Sequence, residues 1–185
     1  MKEIQLKNGQ TLIIEPARLE HAEQFANYAN KIKTETNFIS MDIRDGLSTT
    51  EGQEKYIRTT DAPGKYIFIA SINGRMVGCG NLSPVSTKSR FAHRSDMGIS
   101  VLKEFWGLGI ASEIMKLLIE TAEFYGYEQI ELAVVDGNEP AKHLYEKFGF
   151  YETGYRNNAM KYADGSYAKF ILMQKDLIKK ELIQN

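Results

Sequence analysis

The sequence predicts an α/β (α+β) protein with a single mixed, mostly antiparallel central sheet flanked by helices. Three features predict it: alternating apolar segments arranged as hairpins, apolar stripes at helical spacing between them, and one glycine-paired turn that joins a strand to a helix. The predicted order is β, α, α, β, β, β, α, β, α, β, β. We expect residues 1–185 to form one domain, because this length lies within the usual domain range.

The predicted strands are apolar or alternating segments bounded by turn residues. Asn8-Gly9 and Asn73-Gly74 are dipeptides typical of hairpins, and ADGS near the C-terminal end also predicts a turn. These turns predict antiparallel pairing of the segments on either side. The strands are predicted within IQLKNGQTLIIEP, YIFIASI, MVGCGNL, SDMGISVL, QIELAVV, FYETGYR and AKFILMQ.

The predicted helices carry an apolar stripe on one face. A Ser/Thr cap with Glu51 close behind it starts the second helix, and Pro140 suits the first turn of the fourth. Gly126 and Gly149 predict the ends of the third and fourth helices. Residues 176–185 are predicted to be a helical tail. The four helices are predicted in ARLEHAEQFANYANKI, STTEGQEKYIRTT, residues 110–122 and PAKHLYEKF.

Composition argues against several classes of protein. A formal net charge of -1 gives no electrostatic reason to expect nucleic acid as a partner. No apolar run approaches the roughly 18 residues of a membrane span, and the start lacks the apolar region of a secretory signal. We therefore expect a cytoplasmic protein without a membrane partner. The single Cys79 and the spacing of the three histidines give no support for a metal site.

The stretch FWGLGIAS, residues 105–112, ends a strand and opens a helix. The first N–H groups of a helix have no partner inside it and lie at the positive end of its dipole, so such a turn binds anions. Gly107 and Gly109 supply backbone freedom and leave room for an anion. The pattern predicts a phosphate-bearing ligand, although two glycines also fit a tight turn without one.

Two kinds of nucleotide-binding site are alternative interpretations of this stretch. As a dinucleotide fingerprint it has Ser112 in the third glycine position, and Glu131 lies at about the right distance to contact a ribose. However, Glu131 falls inside a predicted strand and the predicted hairpins disagree with a parallel sheet. A nucleotide P-loop fits less well, because no Gly-Lys-Ser/Thr follows the turn.

The larger pattern VLKEFWGLGIASEIMKLLIETAEFYGYEQIELAVVDGNEPAKHLYEKFGF, residues 101–150, closely resembles the acetyl-CoA-binding half of the GNAT superfamily of N-acetyltransferases. The family pattern is a strand ending in Val, then Q/R-x-x-G-x-G/A, a helix, a strand and an N…A…LYEKxGF segment. Trp106 stands here where the family has Gln or Arg, which removes a polar side chain from the loop. The matching residues are Trp106, Gly107, Leu108, Gly109, Ile110 and Ala111.

This resemblance implies acetyl-CoA as the cosubstrate and assigns its contacts. The pyrophosphate is expected on the N–H groups from Trp106 to Ala111, and the pantetheine arm is expected to pair with the backbone of Ile99 and Val101. Asn138 is expected to contact the pantetheine arm, or to serve only as a turn or cap residue before Pro140.

The resemblance also implies candidates for the chemistry. The Ile99 N–H is expected to bind the oxyanion, and Tyr145 is the candidate acid for the leaving thiolate, although Tyr145 also lies on the apolar stripe of its helix. The base is open between Asp96 and Glu131, with His93 as a weaker third candidate. Cys79, between two glycines, is most simply a small buried residue.

The acceptor is expected to be a primary amine of a small metabolite, an amino acid or a protein N-terminus. The resemblance places its recognition in TETNFISMDIRDG and YRNNAMKYADGSY, where apolar and acidic side chains are either a pocket or covers for the core. The resemblance also leads us to expect a homodimer. Two other hypotheses stay open: a non-catalytic acyl-CoA sensor or scaffold, and a dinucleotide oxidoreductase. The candidate acceptor residues are Glu35, Phe38, Met41, Asp42, Asp45, Tyr155, Met160 and Tyr162.

Overall fold

A computed structural model describes residues 1–177, which contain eight strands and four α-helices. The order of elements agrees with the prediction once the opening segment is counted as a strand pair. The elements are β1 (Lys2–Gln5), β2 (Thr11–Pro16), α1 (Ala22–Ile32), α2 (Thr50–Ile57), β3 (Tyr66–Ile72), β4 (Arg75–Pro84), β5 (Arg94–Val101), α3 (Ile110–Phe124), β6 (Gln129–Val135), α4 (Glu139–Lys147), β7 (Tyr151–Lys161) and β8 (Tyr167–Asp176).

The strands form one eight-stranded sheet in the order β1-β2-β3-β4-β5-β6-β8-β7. β5 and β6 are parallel, whereas β1–β2, β2–β3, β3–β4, β6–β8 and β7–β8 are antiparallel. Parallel neighbours need a crossover, and α3 supplies it between β5 and β6. The predicted mixed, mostly antiparallel sheet is confirmed.

The chain divides into two compact units. The first unit consists of residues 1–83 and 98–118, and the described part of the second consists of residues 84–97 and 119–177. Within the span covered by the structure, no helix is both long and apolar enough to cross a lipid bilayer.

The first unit has a core between α1 and the central strands β3 and β4. The apolar face of α1 is buried, as its spacing predicts, and Cys79 on β4 belongs to the same cluster. A side chain at Gly80 of β4 would overlap Ile114 of α3, so helix and strand pack closely at this point. The cluster contains Ala22, Phe25, Tyr28, Ile32, Ile57, Ile67, Ile69, Met76, Cys79 and Leu102.

The second unit is built around β6, β8 and β7. The β6–β8 register runs without interruption from Gln129↔Asp176 to Val135↔Phe170. The β7–β8 register shifts twice, between Glu152 and Gly154 and between Arg156 and Met160. β7 is an edge strand of the sheet, where such irregularities are common.

Three predicted boundaries were wrong. β7 ends at Lys161, five residues beyond the predicted strand FYETGYR, so the first half of the predicted acceptor segment YRNNAMKYADGSY is strand. The first helix begins at Ala22, because the preceding residues, Leu19–His21, form a 3-10 turn closed by a hydrogen bond from the Arg18 N–H to His21 Nδ1. Asp176, predicted to open the helical tail, is the last residue of β8, where it pairs with Gln129 of β6. The rest of that predicted tail, from residue 178 onward, lies outside the described residues.

Candidate active site

The predicted phosphate turn lies between β5 and α3. Gly107 and Gly109 have φ values of +77° and +86°, in the left-handed region that favours glycine. A Cβ atom at either position would have no atom within 4 Å, so the space above the turn is open. The Glu113 N–H donates to the Gly109 carbonyl, which makes Gly109 the first residue to accept within α3. The N–H groups of Ile110, Ala111 and Ser112 then have no acceptor inside the helix.

Trp106 opens this turn and is 50% exposed. Its indole Nε1–H donates to the carbonyl oxygen of Val101, the last residue of β5, at 2.8 Å. The family's Gln or Arg would offer a polar side chain here, whereas the Trp106 side-chain donor is used inside the protein. Leu108, between the two glycines, is half-buried.

Ile99 and Val101 lie at the C-terminal end of β5, near the glycine turn, and both are half-buried. The register assigned to the parallel pair β5–β6 covers three residues on each strand, from Arg94↔Gln129 to Asp96↔Glu131. Ile99 and Val101 therefore belong to the part of β5 beyond that register.

The two candidate bases, Asp96 and Glu131, are brought together by the same register, since they are directly opposite on β5 and β6. Glu131 forms a hydrogen-bonded ion pair with the Arg94 guanidinium, through Arg94 Nε and Glu131 Oε1. This pair raises the pKa of Arg94. Arg94 also lies over the Phe91 ring, 5.9 Å from its centre. One oxygen of the Glu131 carboxylate is thus occupied by a charge-assisted hydrogen bond from Arg94.

Asp96 has a different environment, although it lies directly opposite Glu131 in the register. Neighbouring protein atoms remove water from its carboxylate, and the Glu131 charge adds repulsion, so the pKa of Asp96 is raised to about 6. More than a third of the residue stays accessible to solvent. An accessible carboxylate with a pKa close to neutral is suited to general base catalysis, which favours Asp96 over Glu131.

Asn138 caps α4. Its side-chain oxygen accepts from the Ala141 N–H at 3.4 Å, its carbonyl oxygen accepts from the Lys142 N–H, and Pro140 lies in the first helical turn. The cap interpretation of Asn138 thus has direct geometric support. A cap uses the side-chain oxygen, so the amide N–H groups of the side chain remain suited to donate to a ligand.

Tyr145 lies on the buried face of α4 and is 8% exposed. Its ring packs against Phe150 at 5.9 Å between ring centres. Burial raises the pKa of Tyr145 to about 12, so the phenol is protonated at neutral pH. Among residues 1–177 its hydroxyl has no hydrogen-bond partner. The oxygen is not a buried unpartnered atom, so it is accessible from solvent and is a candidate donor to a bound ligand.

The three acidic side chains of the proposed acceptor loop all have partners within the protein. Glu35 accepts from the Lys103 N–H at 2.8 Å and pairs with Lys31. The Asp42 carboxylate caps the turn Ile43–Asp45 and binds Arg44, whose hydrogen bonds hold the pKa of Asp42 at about 2. Asp45 accepts from the Asp42 N–H. These contacts stabilise the loop conformation.

The apolar acceptor candidates differ in burial. Met41 packs against the core of the first unit, as a cover residue would, whereas Phe38 is 40% exposed. In the second unit Tyr155 is 65% exposed and contacts Lys169 through its ring, and Met160 and Tyr162 are half-buried.

One polar pair beside β5 was missed by sequence reasoning. The Tyr28 hydroxyl of α1 shares a hydrogen bond of 2.8 Å with the Ser100 hydroxyl, which lies between Ile99 and Val101. Tyr28 is 3% exposed, and burial raises its pKa. The two residues are 72 positions apart, so no local pattern predicts the contact. A tyrosine on an otherwise apolar helix face was the available signal.

The fold and the glycine turn define an acyltransferase-like class of protein. The sequence model of the acetyltransferase (GNAT) family matches residues 32–150, and the chain belongs to that family. This confirms the resemblance read from residues 101–150 and extends it toward the N-terminus.

A curated relative supports the same family. The L-amino acid N-acetyltransferase AaaT of Escherichia coli K12 is 35% identical to this chain over 94 residues. Those residues are 50% of this chain and 57% of AaaT, so the match spans little more than half the length of that relative.

Solved structures share the fold. A GNAT-family acetyltransferase of Streptococcus pneumoniae has a TM-score of 0.83 at 27% identity, covering 90% of this chain and 99% of the other. The YncA structure of Salmonella typhimurium, solved with its cofactor acetyl-CoA, has a TM-score of 0.80 at 16% identity, covering 92% and 96% of the two chains. The fold of this chain is therefore that of GNAT acetyltransferases.

Proposed function

We propose that this protein is an acetyl-CoA-dependent N-acetyltransferase that transfers the acetyl group directly to the primary amine of a small molecule, with a free amino acid as the first acceptor class to test. The observation that carries the proposal is the open turn at Gly107 and Gly109, which presents free N–H groups at the start of α3, the next helix after β5 and the 3-10 turn Lys103–Phe105. Membership of the GNAT family supports acetyl transfer. The name of the E. coli relative supports the acceptor class.

In this proposal the backbone holds the cosubstrate. The N–H groups from Gly107 to Ala111 bind the pyrophosphate, whereas the Trp106 N–H, expected to share this role, donates to the Lys103 carbonyl at 3.1 Å. The backbone of Ile99 and Val101 pairs with the pantetheine arm. Asn138 contributes its side-chain amide. The family assignment and the open, glycine-containing turn support these roles.

Acetyl-CoA supplies the activated acetyl thioester, and the remaining steps fall to groups of the chain. The acceptor nitrogen forms a bond to the acetyl carbon while the bond from that carbon to sulfur breaks. We assign the oxyanion donor to the Ile99 N–H, the base that removes the amine proton to Asp96, and the acid that protonates the thiolate to Tyr145. Glu131 is paired with Arg94 and does not take the proton itself; besides burial, its negative charge raises the pKa of Asp96.

Release of the CoA thiol tests the function. Acetyl-CoA and purified protein are mixed with a panel of amino acids, polyamines, aminoglycosides and short peptides, and free thiol is followed. Release that depends on amino acids supports the proposal, and release that depends only on peptides redirects it to protein N-termini. No release above background hydrolysis, with CoA still bound, would favour the acyl-CoA sensor.

Action as a single domain, location in the cytoplasm and assembly as a homodimer remain sequence-based proposals. Light scattering on the purified protein at several concentrations tests the homodimer. A mass equal to that of one 21.0 kDa chain at all concentrations would contradict it.

A further inference from the structure

Trp106 is the residue of the phosphate turn whose side chain departs from the GNAT pattern, and its indole contacts the end of β5. A tryptophan that is 50% exposed contributes little to a core, yet its Nε1–H is held at 2.8 Å from the Val101 carbonyl. The bond joins the last residue of β5 to the first residue of the turn.

The chain between these two residues is already held at several points. The Leu102 N–H donates to the Val77 carbonyl at 2.9 Å, and the Lys103 N–H donates to Glu35 at 2.8 Å. Glu104 pairs with Arg75, which also lies over the Phe105 ring. These bonds fix residues 102–105 to the rest of the first unit.

The start of the turn has a backbone anchor as well, because the Trp106 N–H donates to the Lys103 carbonyl at 3.1 Å. Gly107 and Gly109 are adjacent to empty space, and both adopt a conformation that glycine can leave at low cost. The indole bond is the side-chain contact that ties the start of this turn to the last residue of β5.

We propose that Trp106 is a positioning residue for acyl-CoA: through its hydrogen bond to the Val101 carbonyl, it sets the distance between the end of β5 and the phosphate turn. This inference rests on the proposed function, in which the two segments bind the pantetheine arm and the pyrophosphate of one molecule. If the turn is already held at the correct distance from β5, binding does not have to order it, so the entropic cost of binding such a ligand is lower.

Trp106→Phe tests the bond, because phenylalanine keeps an aromatic ring and removes the N–H. Loss of one such hydrogen bond is expected to raise the KM for acetyl-CoA about three- to tenfold. The kcat and the KM for the amine should stay within about twofold, because the reacting groups are untouched. Phe124→Ala is the control, since Phe124 is an aromatic residue that is 82% exposed at the end of α3.

A second measurement uses the wild-type protein and does not depend on how the variant folds. Trp106 is the single tryptophan of the chain, so intrinsic tryptophan emission reports on this turn alone. Saturating CoA should shift that emission and lower its quenching by acrylamide.

The outcomes separate the two proposals. A wild-type protein that acetylates amines but whose emission ignores CoA, or whose Trp106→Phe variant keeps the wild-type KM for acetyl-CoA, would overturn the positioning role alone. Equal changes in KM for Trp106→Phe and Phe124→Ala would also overturn it. A wild-type protein that neither binds CoA nor releases thiol would overturn the proposed function.

Discussion

At the scale of single residues, Asp96 and Glu131 show how the environment gives two carboxylates different properties. Both are carboxylates at opposite positions of one parallel register. Glu131 has an arginine partner, whereas Asp96 has partial burial and a negative neighbour. Burial and like charge both favour the protonated form, so Asp96 titrates nearer to neutral pH than an ordinary aspartate.

We expect Asp96→Asn to lower kcat/KM for the amine by about 10²- to 10⁴-fold, the usual contribution of a general base. In the wild type the rate should fall as pH drops through about 6, because Asp96 is then protonated. A pH–rate profile checks both statements. Glu131→Gln is the matched comparison: it removes a negative neighbour, so the acid limb should move to lower pH. A wild-type rate in Asp96→Asn would refute the base assignment.

The same titration gives a prediction for stability. The folded pKa of Asp96 lies above its ordinary value of 3.8, so the folded state binds more protons than the unfolded state between about pH 4 and pH 6. Stability from this residue is therefore present at low pH and lost as pH rises through about 6. We expect Asp96→Asn to raise the Tm at pH 8 and to leave it nearly unchanged at pH 4. A lower Tm at pH 8 would contradict the raised pKa.

Tyr145→Phe separates catalysis from packing. The Tyr145 hydroxyl has no partner among residues 1–177, so its removal should cost less than about 1 kcal/mol of unfolding free energy. If the hydroxyl protonates the leaving thiolate, kcat should fall by at least about tenfold. Urea unfolding and steady-state kinetics measure the two quantities. Unchanged kcat would assign Tyr145 to the core alone.

At the scale of elements, the junction of β5 and α3 depends on backbone geometry. Left-handed backbone costs a residue other than glycine roughly 1–2 kcal/mol. Because Gly109 has open space where a Cβ would stand, any substitution acts through this strain and through obstruction of the ligand. The effect of a substitution at Gly109 can therefore be compared with that at another glycine of similar φ and similarly open surroundings.

We expect Gly109→Ala to raise the KM for acetyl-CoA at least about tenfold, since the side chain occupies the anion site and the backbone is strained. Gly9→Ala is the matched control: Gly9, in the turn between β1 and β2, has φ +83° against +86° for Gly109, and it too has no atom within 4 Å of a Cβ. Both variants should lose similar stability, but only Gly109→Ala should lose affinity. Similar KM values for the two variants would remove the turn from the binding site.

The packing of α3 on β4 gives a second prediction at this scale. A side chain at Gly80 overlaps Ile114, whereas a side chain at Gly78 is 3.2 Å from Ile114 and from the Ser100 carbonyl. Overpacking typically costs 1–3 kcal/mol. We expect Gly80→Ala to destabilise more than Gly78→Ala, as measured by chemical denaturation. The reverse order would show that α3 moves away from β4 at low cost.

At the scale of the whole molecule, ligand binding should raise the free energy of unfolding of the protein. A ligand that binds only the folded state stabilises it by about 2.7 kcal/mol at 100 times its Kd. We expect CoA, and not NAD, to raise the Tm in a concentration-dependent way. Protection by NAD alone would instead favour the dinucleotide reading of the glycine turn.

Most elements of the fold followed from the sequence because their signals are local. The Asn-Gly turns, the helical stripes and Pro140 each depend on residues within a few positions, and β5, the glycine turn and α3 were predicted in the order observed. The errors occurred at boundaries. The turn before α1 is stabilised by the His21 side chain, and Asp176 belongs to β8 through strand pairing.

The sequence by itself determined the fold class, because its turns and apolar stripes are local signals, and the resemblance of residues 101–150 identified the GNAT family. The candidate site residues stay predictions. Only the tertiary structure decided which groups are partners: Glu131 binds Arg94, Tyr28 binds Ser100, and the Trp106 indole binds the Val101 carbonyl. The first two contacts join residues 37 and 72 positions apart. Proximity of this kind results from packing of strands and helices, and pKa values and hydrogen bonds follow from proximity.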